Sequence, residues 1–109
     1  MVRIIYRFSI VPGAGAEFRQ CWEEVTGYIQ RQSSGARGSV LLRGIDTNDE
    51  YLAVARWESR SLWMAGRAAV DSVVPPPLLA TLKALLSKDT TYEVFDELMD
   101  FPGGNGNVP

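Results

Sequence analysis

The 109-residue sequence contains no histidine and a single cysteine, Cys21. Histidine is the commonest metal ligand and the usual general base at neutral pH, so its absence removes the standard zinc ligand and the standard proximal haem ligand. One cysteine excludes an internal disulfide and a cysteine-based metal cluster. Cys21 also falls on the apolar side of a predicted helix, where a thiol is inert. The sequence therefore predicts neither a metal site nor a bound cofactor.

An excess of charge and long hydrophobic runs are also missing. Eleven basic and thirteen acidic residues give a net charge of -2, and without a basic stripe nucleic acid is not expected as a partner. No apolar run approaches the ~20 residues that span a bilayer, and no signal-peptide pattern opens the chain. These features predict a soluble, cytoplasmic protein without nucleic-acid or membrane partners.

The composition that is present suits one globular domain. Hydrophobic residues make up 46% of the chain, which is enough for a modest core. We expect this domain to span residues 1–101. Residues 102–109 are rich in glycine and asparagine, and we expect them to form a disordered C-terminal tail.

Changes in hydrophobic periodicity divide the chain into strands and helices. Alternation with a period of two predicts strands, steps of three and four residues predict helices, and Ser59 is a predicted helix N-cap. The predicted elements, in chain order, are a strand at 1–11, a helix at 14–32, a hairpin of strands at 39–43 and 51–57, a helix after residue 59, a helix starting in the proline run 75–77, and a strand at 90–95. Residues 92–101 are also compatible with a short helix.

This order of elements predicts an α+β fold. It is the ferredoxin-like split βαβ arrangement, an antiparallel sheet with helices on one face. The third strand places Leu52 and Val54 on one side and Tyr51, Ala53 and Trp57 on the other, so neither face resembles a water-facing surface. Because an apolar sheet face needs a cover, we expect a second copy of the chain to pack there as a homodimer.

Four short segments resemble a known family. They are a strand ending in Pro12-Gly13, a helix with the pattern FxxxW from Phe18 to Trp22, the strand end RWES at 56–59, and the helix start SLW at 61–63. Together they resemble the antibiotic biosynthesis monooxygenase family over about residues 2–95. The resemblance implies the dimeric α+β barrel fold, and relatives on this fold include cofactor-free oxygenases that act on polycyclic phenols.

The same superfamily contains haem-degrading enzymes, and the resemblance argues against that activity here. That branch uses an asparagine in the first strand, a tryptophan in the second helix and a histidine shortly after it. The corresponding positions of this chain hold Tyr6 and Gly66, and there is no histidine. We therefore expect that haem is not degraded.

Six residues are candidates for the functional site. Tyr6, on the apolar face of the first strand, and Arg67, one turn after Trp63, are the candidate catalytic residues, because a phenol can donate to a substrate oxygen and a guanidinium can stabilise an anion. The candidate ligand-binding residues are Phe8, Trp22, Trp57 and Trp63. Core packing is the competing interpretation for the aromatic rings, and a solvated surface position is the competing one for the arginine.

We expect these residues to line a cleft. Ala65 and Gly66 have little volume, so they should leave room beside Trp63, near Tyr6 and Arg67. A cleft lined by rings suits a flat phenolic ligand or its anion.

Two functions fit this pattern. The first is a cofactor-independent monooxygenase acting on a small aromatic or phenolic compound, in which a bound phenolate itself passes an electron to oxygen inside a dry pocket. Without histidine, its base would be a carboxylate, a tyrosine or water. The alternative is a non-catalytic homodimeric module that binds a small apolar or aromatic ligand and needs no base. A plain dimerisation module is a third possibility.

Overall fold

The computed structural model describes residues 1–103 and contains one four-stranded antiparallel sheet with helices packed on one face. The elements are β1 (Val2–Ser9), α1 (Gly15–Gln32), β2 (Ala36–Arg43), β3 (Glu50–Trp57), α2 (Arg60–Ala68), α3 (Val70–Val73), α4 (Pro76–Ala84) and β4 (Thr91–Asp96). The strand order is β2-β3-β1-β4, with every neighbouring pair antiparallel. The predicted α+β, ferredoxin-like fold class is confirmed. Residues 104–109, most of the predicted disordered tail, lie outside the described part of the chain.

Two predicted boundaries differ from the observed ones by more than one residue. β1 ends at Ser9 because Ile10 keeps only an isolated bridge to Leu86. β2 begins at Ala36 rather than at residue 39, because a bulge lets Ala36 pair with Trp57 ahead of the regular register. The bulge includes Gly38 with φ +104, a conformation that glycine adopts without strain.

The alternative of a short helix at residues 92–101 is wrong. Residues 91–96 form β4, which pairs with β1 in the register Tyr6 to Tyr92 and Ile4 to Val94. The alternation of this strand places Tyr92 and Val94 on the helix-covered face. Only two of the side chains that β4 places on this face are apolar, so its period-two signal is weak, which explains why the sequence is also compatible with a helix.

The core lies between the sheet and the helices. Ile4 and Phe18 are fully buried, and Phe8 is 3% exposed. The Phe18 ring lies 5.2 Å from Phe8 and 5.1 Å from Tyr51, measured between ring centres. Trp22 of α1 lies 4.9 Å from Phe8. The apolar stripe predicted for α1 therefore faces the sheet as a block of contacting rings.

The start of α2 is fixed by its predicted cap. The Ser59 hydroxyl accepts a hydrogen bond from the Leu62 amide at 3.2 Å, which satisfies one of the free donors of the first turn. Starting the helix there turns Trp63 onto the sheet, where it is 3% exposed. The cap is the local reason why Trp63 reaches β1.

Within the described residues 1–103, no helix covers the other face of the sheet. Val40 is 53% exposed, Leu42 is 48% exposed and Phe95 is 46% exposed. At one end of this face Glu97 accepts hydrogen bonds from Arg3 and from Arg56, each at 2.7 Å. These hydrogen bonds lower the pKa of the Glu97 carboxyl below its ordinary value. Separately, none of the helices within residues 1–103 has the length and apolar character needed to cross a membrane.

Candidate functional site

Tyr6 and Trp63 are joined by a hydrogen bond inside the helix-covered side of the sheet. The indole Nε1 of Trp63 donates to the Tyr6 hydroxyl oxygen at 2.9 Å. Tyr6 is half-buried in the middle of β1, and Trp63 is buried on α2. A tyrosine hydroxyl can accept and donate at once, so the Tyr6 proton remains free to bind a substrate oxygen.

Arg67 lies one helical turn beyond Trp63 and contacts a residue that the sequence did not indicate. Its Nη1 donates to the Tyr92 hydroxyl at 2.5 Å, and its guanidinium carbon lies 4.2 Å from the centre of the Tyr92 ring. The same carbon lies 5.7 Å from the Trp63 ring. Both distances are in the range of cation–π contacts. The guanidinium is therefore held beside the rings, although the side chain is exposed.

Tyr92 is the site residue that sequence reasoning missed. It pairs directly with Tyr6 across β1 and β4, and the two ring centres are 6.3 Å apart. The available signal was the alternation of β4, which puts Tyr92 on the same face as Tyr6 once the two strands are paired. Without the pairing, nothing in the sequence connects residues that are 86 positions apart.

The electrostatics of Tyr6 favour its neutral form. Burial raises the pKa of the Tyr6 hydroxyl above its ordinary value, and Tyr92 raises it further. The hydrogen bond from Trp63 and the charge of Arg67 oppose this rise only in part. Tyr6 is thus protonated at neutral pH and acts as a hydrogen-bond donor, not as a general base. Donation by Trp63 to its oxygen also polarises the O–H group, which strengthens it as a donor.

The remaining candidate residues divide into two groups. Trp22 belongs to the site, since its ring lies 6.3 Å from that of Tyr6 and it is half-buried. Phe8 lies below Trp22 and is 3% exposed, so it supports the site from the core. Trp57 is 5% exposed and belongs to the same core cluster as Trp63, against which Tyr6 packs. Its ring therefore supports the site from the core and offers almost no surface to a ligand. The structure therefore brings Tyr6, Trp22, Trp63 and Arg67 together and leaves Trp57 in the core.

The space expected beside Gly66 is filled. A Cβ atom on Gly66 would lie 2.5 Å from Cη2 of Trp57, so this glycine accommodates the Trp57 ring. The expectation that Gly66 leaves room for a ligand is wrong for this reason. Tyr92, which is 40% exposed, is the accessible ring of the cluster.

One surface groove lies away from this cluster. It has a volume of about 950 Å³ and lies between α1, the end of β2 and the β2–β3 loop. A second groove of about 830 Å³ lies between α1 and α4. Volume alone does not identify chemistry, and we place the candidate functional site at Tyr6 because donors, a cation and rings converge there.

Comparison with known proteins places the chain in a family. Residues 1–69, which run from β1 through α2, match the family model described as antibiotic biosynthesis monooxygenase. No curated protein matches the chain. Tyr6, Trp22, Trp63 and Arg67 all fall within the matched residues, whereas Tyr92 lies beyond them.

Several solved structures share the fold. SnoaB, a cofactor-independent oxygenase from Streptomyces nogalater, is 24% identical with a TM-score of 0.73, over 94% of this chain and 97% of that chain. A candidate antibiotic biosynthesis monooxygenase from Bordetella bronchiseptica is 17% identical with a TM-score of 0.77, over 90% and 97% of the two chains. One from Caulobacter crescentus is 13% identical with a TM-score of 0.76, over 90% of each chain. At these identities the likeness establishes the fold, and the family-model match establishes that the chain belongs to the antibiotic biosynthesis monooxygenase family.

Proposed function

We propose that the protein is a cofactor-independent monooxygenase that acts on a small aromatic or phenolic compound. The observation that carries the proposal is the cluster in which Trp63 holds the Tyr6 hydroxyl and Arg67 lies against Tyr92. It offers a neutral O–H donor and a cation beside aromatic surfaces, which is what a phenolate requires. Family membership supports the reaction type.

Each residue has a distinct role in this proposal. Tyr6 donates a hydrogen bond from its hydroxyl group to the substrate oxygen, and Arg67 stabilises the negative charge on that oxygen. Trp22 and Tyr92 offer partly exposed ring surface for a flat substrate. Trp63 is too buried to be a wall and acts as a positioning residue, because its N–H fixes the Tyr6 oxygen.

The chemistry needs no external reductant. A phenol loses its proton to water and binds as the phenolate, which passes one electron to O₂. The resulting substrate radical and superoxide combine at a ring carbon, forming a C–O bond. The peroxide takes up the proton that the phenol released. Loss of the C–H proton at that carbon then accompanies cleavage of the O–O bond, which leaves one oxygen atom as a quinone carbonyl and releases the other as water. The substrate supplies all four electrons, so phenol plus O₂ gives quinone plus H₂O. The protein contributes binding, charge stabilisation and exclusion of water.

We also propose that the protein is a homodimer formed through the sheet face that no helix covers. The support is the exposure of Val40, Leu42 and Phe95, side chains that a monomer leaves in water. Packing of two such faces would bury them without disturbing the helix-covered site. Sedimentation at micromolar concentration should give a dimer, and a stable monomer there would rule the arrangement out.

The proposed activity is tested by oxygen uptake with a panel of one-, two- and three-ring phenols. Phenols that raise the melting temperature should also drive consumption of one O₂ per quinone formed, with one ¹⁸O atom incorporated from ¹⁸O₂. Arg67→Ala should weaken binding of the phenolate by about 1–3 kcal/mol, the contribution of a charge-assisted hydrogen bond. Arg60→Gln changes the same charge at an exposed position on α2 and is the matched control.

Two results would count against this function. Binding of phenols without oxygen uptake favours the alternative, a non-catalytic module for an aromatic ligand. Equal effects of Arg67→Ala and Arg60→Gln would show that Arg67 acts only through general charge, and would remove it from the site.

A further inference from the structure

We propose a second ligand site, for an organic carboxylate with a flat or branched apolar body, in the groove between α1 and β2. The groove has a volume of about 950 Å³, within the range of small-molecule sites. Its lining includes Gly15, Arg19, Leu41, Arg43, Ile45 and Tyr51. None of them belongs to the Tyr6 cluster, so the proposal does not depend on the proposed oxygenase activity.

A buried tyrosine places an unused hydroxyl in this groove. Tyr51 is only 8% exposed, yet its hydroxyl makes no hydrogen bond to any other side chain or backbone group within residues 1–103. The ring is held in the core, 5.1 Å from Phe18. The ring is buried, but the hydroxyl oxygen remains accessible to solvent at the surface of the groove, so a ligand in the groove can take the place of that solvent as its partner. The Tyr51 hydroxyl is therefore a donor directed at whatever fills the groove.

The position of that hydroxyl depends on Gly15. A Cβ atom at this residue would lie 2.5 Å from the Tyr51 oxygen, which is too close for any side chain. The hydroxyl thus lies directly against the first residue of α1. Only glycine permits this approach without moving the ring.

The beginning of α1 adds further donors at the same place. Its N-cap residue, Ala14, provides no side-chain cap, so the amides of the first turn have no side-chain partner there. A helix of 18 residues also carries partial positive charge at this end. Glu17 lies in the same first turn and offsets part of this charge, so the free amides are the donors that favour an anion close to the Tyr51 hydroxyl.

Two arginines supply full positive charge. Arg19 and Arg43 line the groove, and neither forms an ion pair with a carboxylate among residues 1–103. Glu23 is the one acidic residue on the lining. The groove therefore has a net charge of +1 in a chain whose net charge is -2, which favours an anionic ligand locally.

The groove also has apolar side chains. Leu41 is half-buried on the floor, and Ile45 in the β2–β3 loop is 94% exposed. An isoleucine in water gains free energy when an apolar body covers it. Hydrogen-bond donors and apolar side chains in one groove match a carboxylate attached to a ring or branched chain. A bare inorganic anion would leave the apolar part uncovered.

The test uses 2-naphthoate as the probe and 2-naphthamide as its uncharged counterpart, titrated into the full-length protein and followed by calorimetry and amide NMR shifts. Naphthoate should bind with shifts centred on Gly15, Ala16 and Asn48. Loss of the charge-assisted contacts should make the amide about tenfold weaker or more. Arg43→Gln should weaken naphthoate by about tenfold, and Tyr51→Phe by about three- to tenfold, for the same reason.

The variants include their own controls. Tyr51→Phe keeps the ring and removes only the hydroxyl, so its melting temperature should stay near that of the parent. Arg60→Gln removes an exposed charge away from the groove and should leave naphthoate binding unchanged. No binding at millimolar naphthoate, equal binding of the two probes, or shifts centred on Trp22 and Trp63 would each overturn the second site. None of these results bears on oxygen uptake by phenols, so the two proposals fail separately.

Discussion

Replacing Tyr6 by phenylalanine tests the central contact of the candidate site. The change keeps the ring and removes the oxygen that accepts from Trp63 Nε1 at 2.9 Å. Trp63 is 3% exposed, so water cannot readily replace the lost acceptor. A buried donor left without a partner costs about 1–3 kcal/mol. For a domain of this size that corresponds to a fall in melting temperature of about 4–6 °C per kcal/mol.

The measurement is urea unfolding at pH 7, followed by tryptophan fluorescence at one fixed protein concentration because a dimer's stability depends on concentration. Tyr92→Phe is the matched control. Tyr92 is 40% exposed and accepts from the exposed Arg67, so water can satisfy the arginine after the change. We expect Tyr92→Phe to cost less than about 0.5 kcal/mol, as for most surface substitutions.

A double-mutant cycle assigns the cost to the contact itself. Trp63→Phe alone should destabilise the protein through lost packing and the lost hydrogen bond. Tyr6→Phe in that background should then cost less than in the parent, with a coupling energy of about 0.5–1.5 kcal/mol. If Tyr6→Phe and Tyr92→Phe cost the same small amount and the cycle shows no coupling, the buried hydrogen bond does not hold Tyr6, and the positioning role of Trp63 fails.

Three further outcomes are expected. The raised pKa of Tyr6 means that the folded state holds its proton more tightly than the unfolded state, so the free energy of unfolding should fall as the pH rises above about 10. In urea titrations at a series of pH values, this fall should be smaller in Tyr6→Phe than in the parent. The same pH dependence in both proteins would contradict the prediction. Gly66→Ala should destabilise the protein by about 1–3 kcal/mol in thermal unfolding, because the new methyl group overlaps the buried Trp57 ring. Gly27→Ala is the control: its methyl group meets only the flexible end of Arg31, so the change should be neutral or stabilise the protein by up to about 1 kcal/mol. Haem added with a reductant should show no spectroscopic turnover, and steady loss of the haem absorbance with product formation would refute that expectation.

Much of the fold could be read from local pattern because local physics dictates it. The alternation of residues 2–10 places one apolar face on the helices in any antiparallel pairing. Ser59 starts α2 because its side chain satisfies a free amide of the first turn. These signals are contained within one turn or one strand, so the sequence alone carries them.

The candidate site was only partly predictable because it depends on long-range pairing. Tyr6 and Trp63 were identified as single residues, but their hydrogen bond joins positions 57 residues apart. Tyr92 became part of the site only through the register of β4 against β1. Gly66 was misinterpreted for the same reason, since the ring that fills its space comes from β3. The presence of a small residue in the sequence does not show whether the space beside it is an open cleft or is filled by another side chain.

The block of rings between α1 and the sheet has a consequence for how the protein can change. Phe8 contacts both Trp22 and Phe18, while Phe18 contacts Tyr51, with ring centres 4.9 to 5.2 Å apart. The block thus lies between the Tyr6 cluster and the Tyr51 groove. In a close-packed interior a change in the volume of Phe8 or Phe18 must be absorbed by neighbouring rings. A substitution of either phenylalanine would therefore change the shape of the Tyr6 cluster and of the Tyr51 groove together. Substitutions of residues at the edge of one site, such as Tyr92 or Ile45, can change the ligand preference of that site alone.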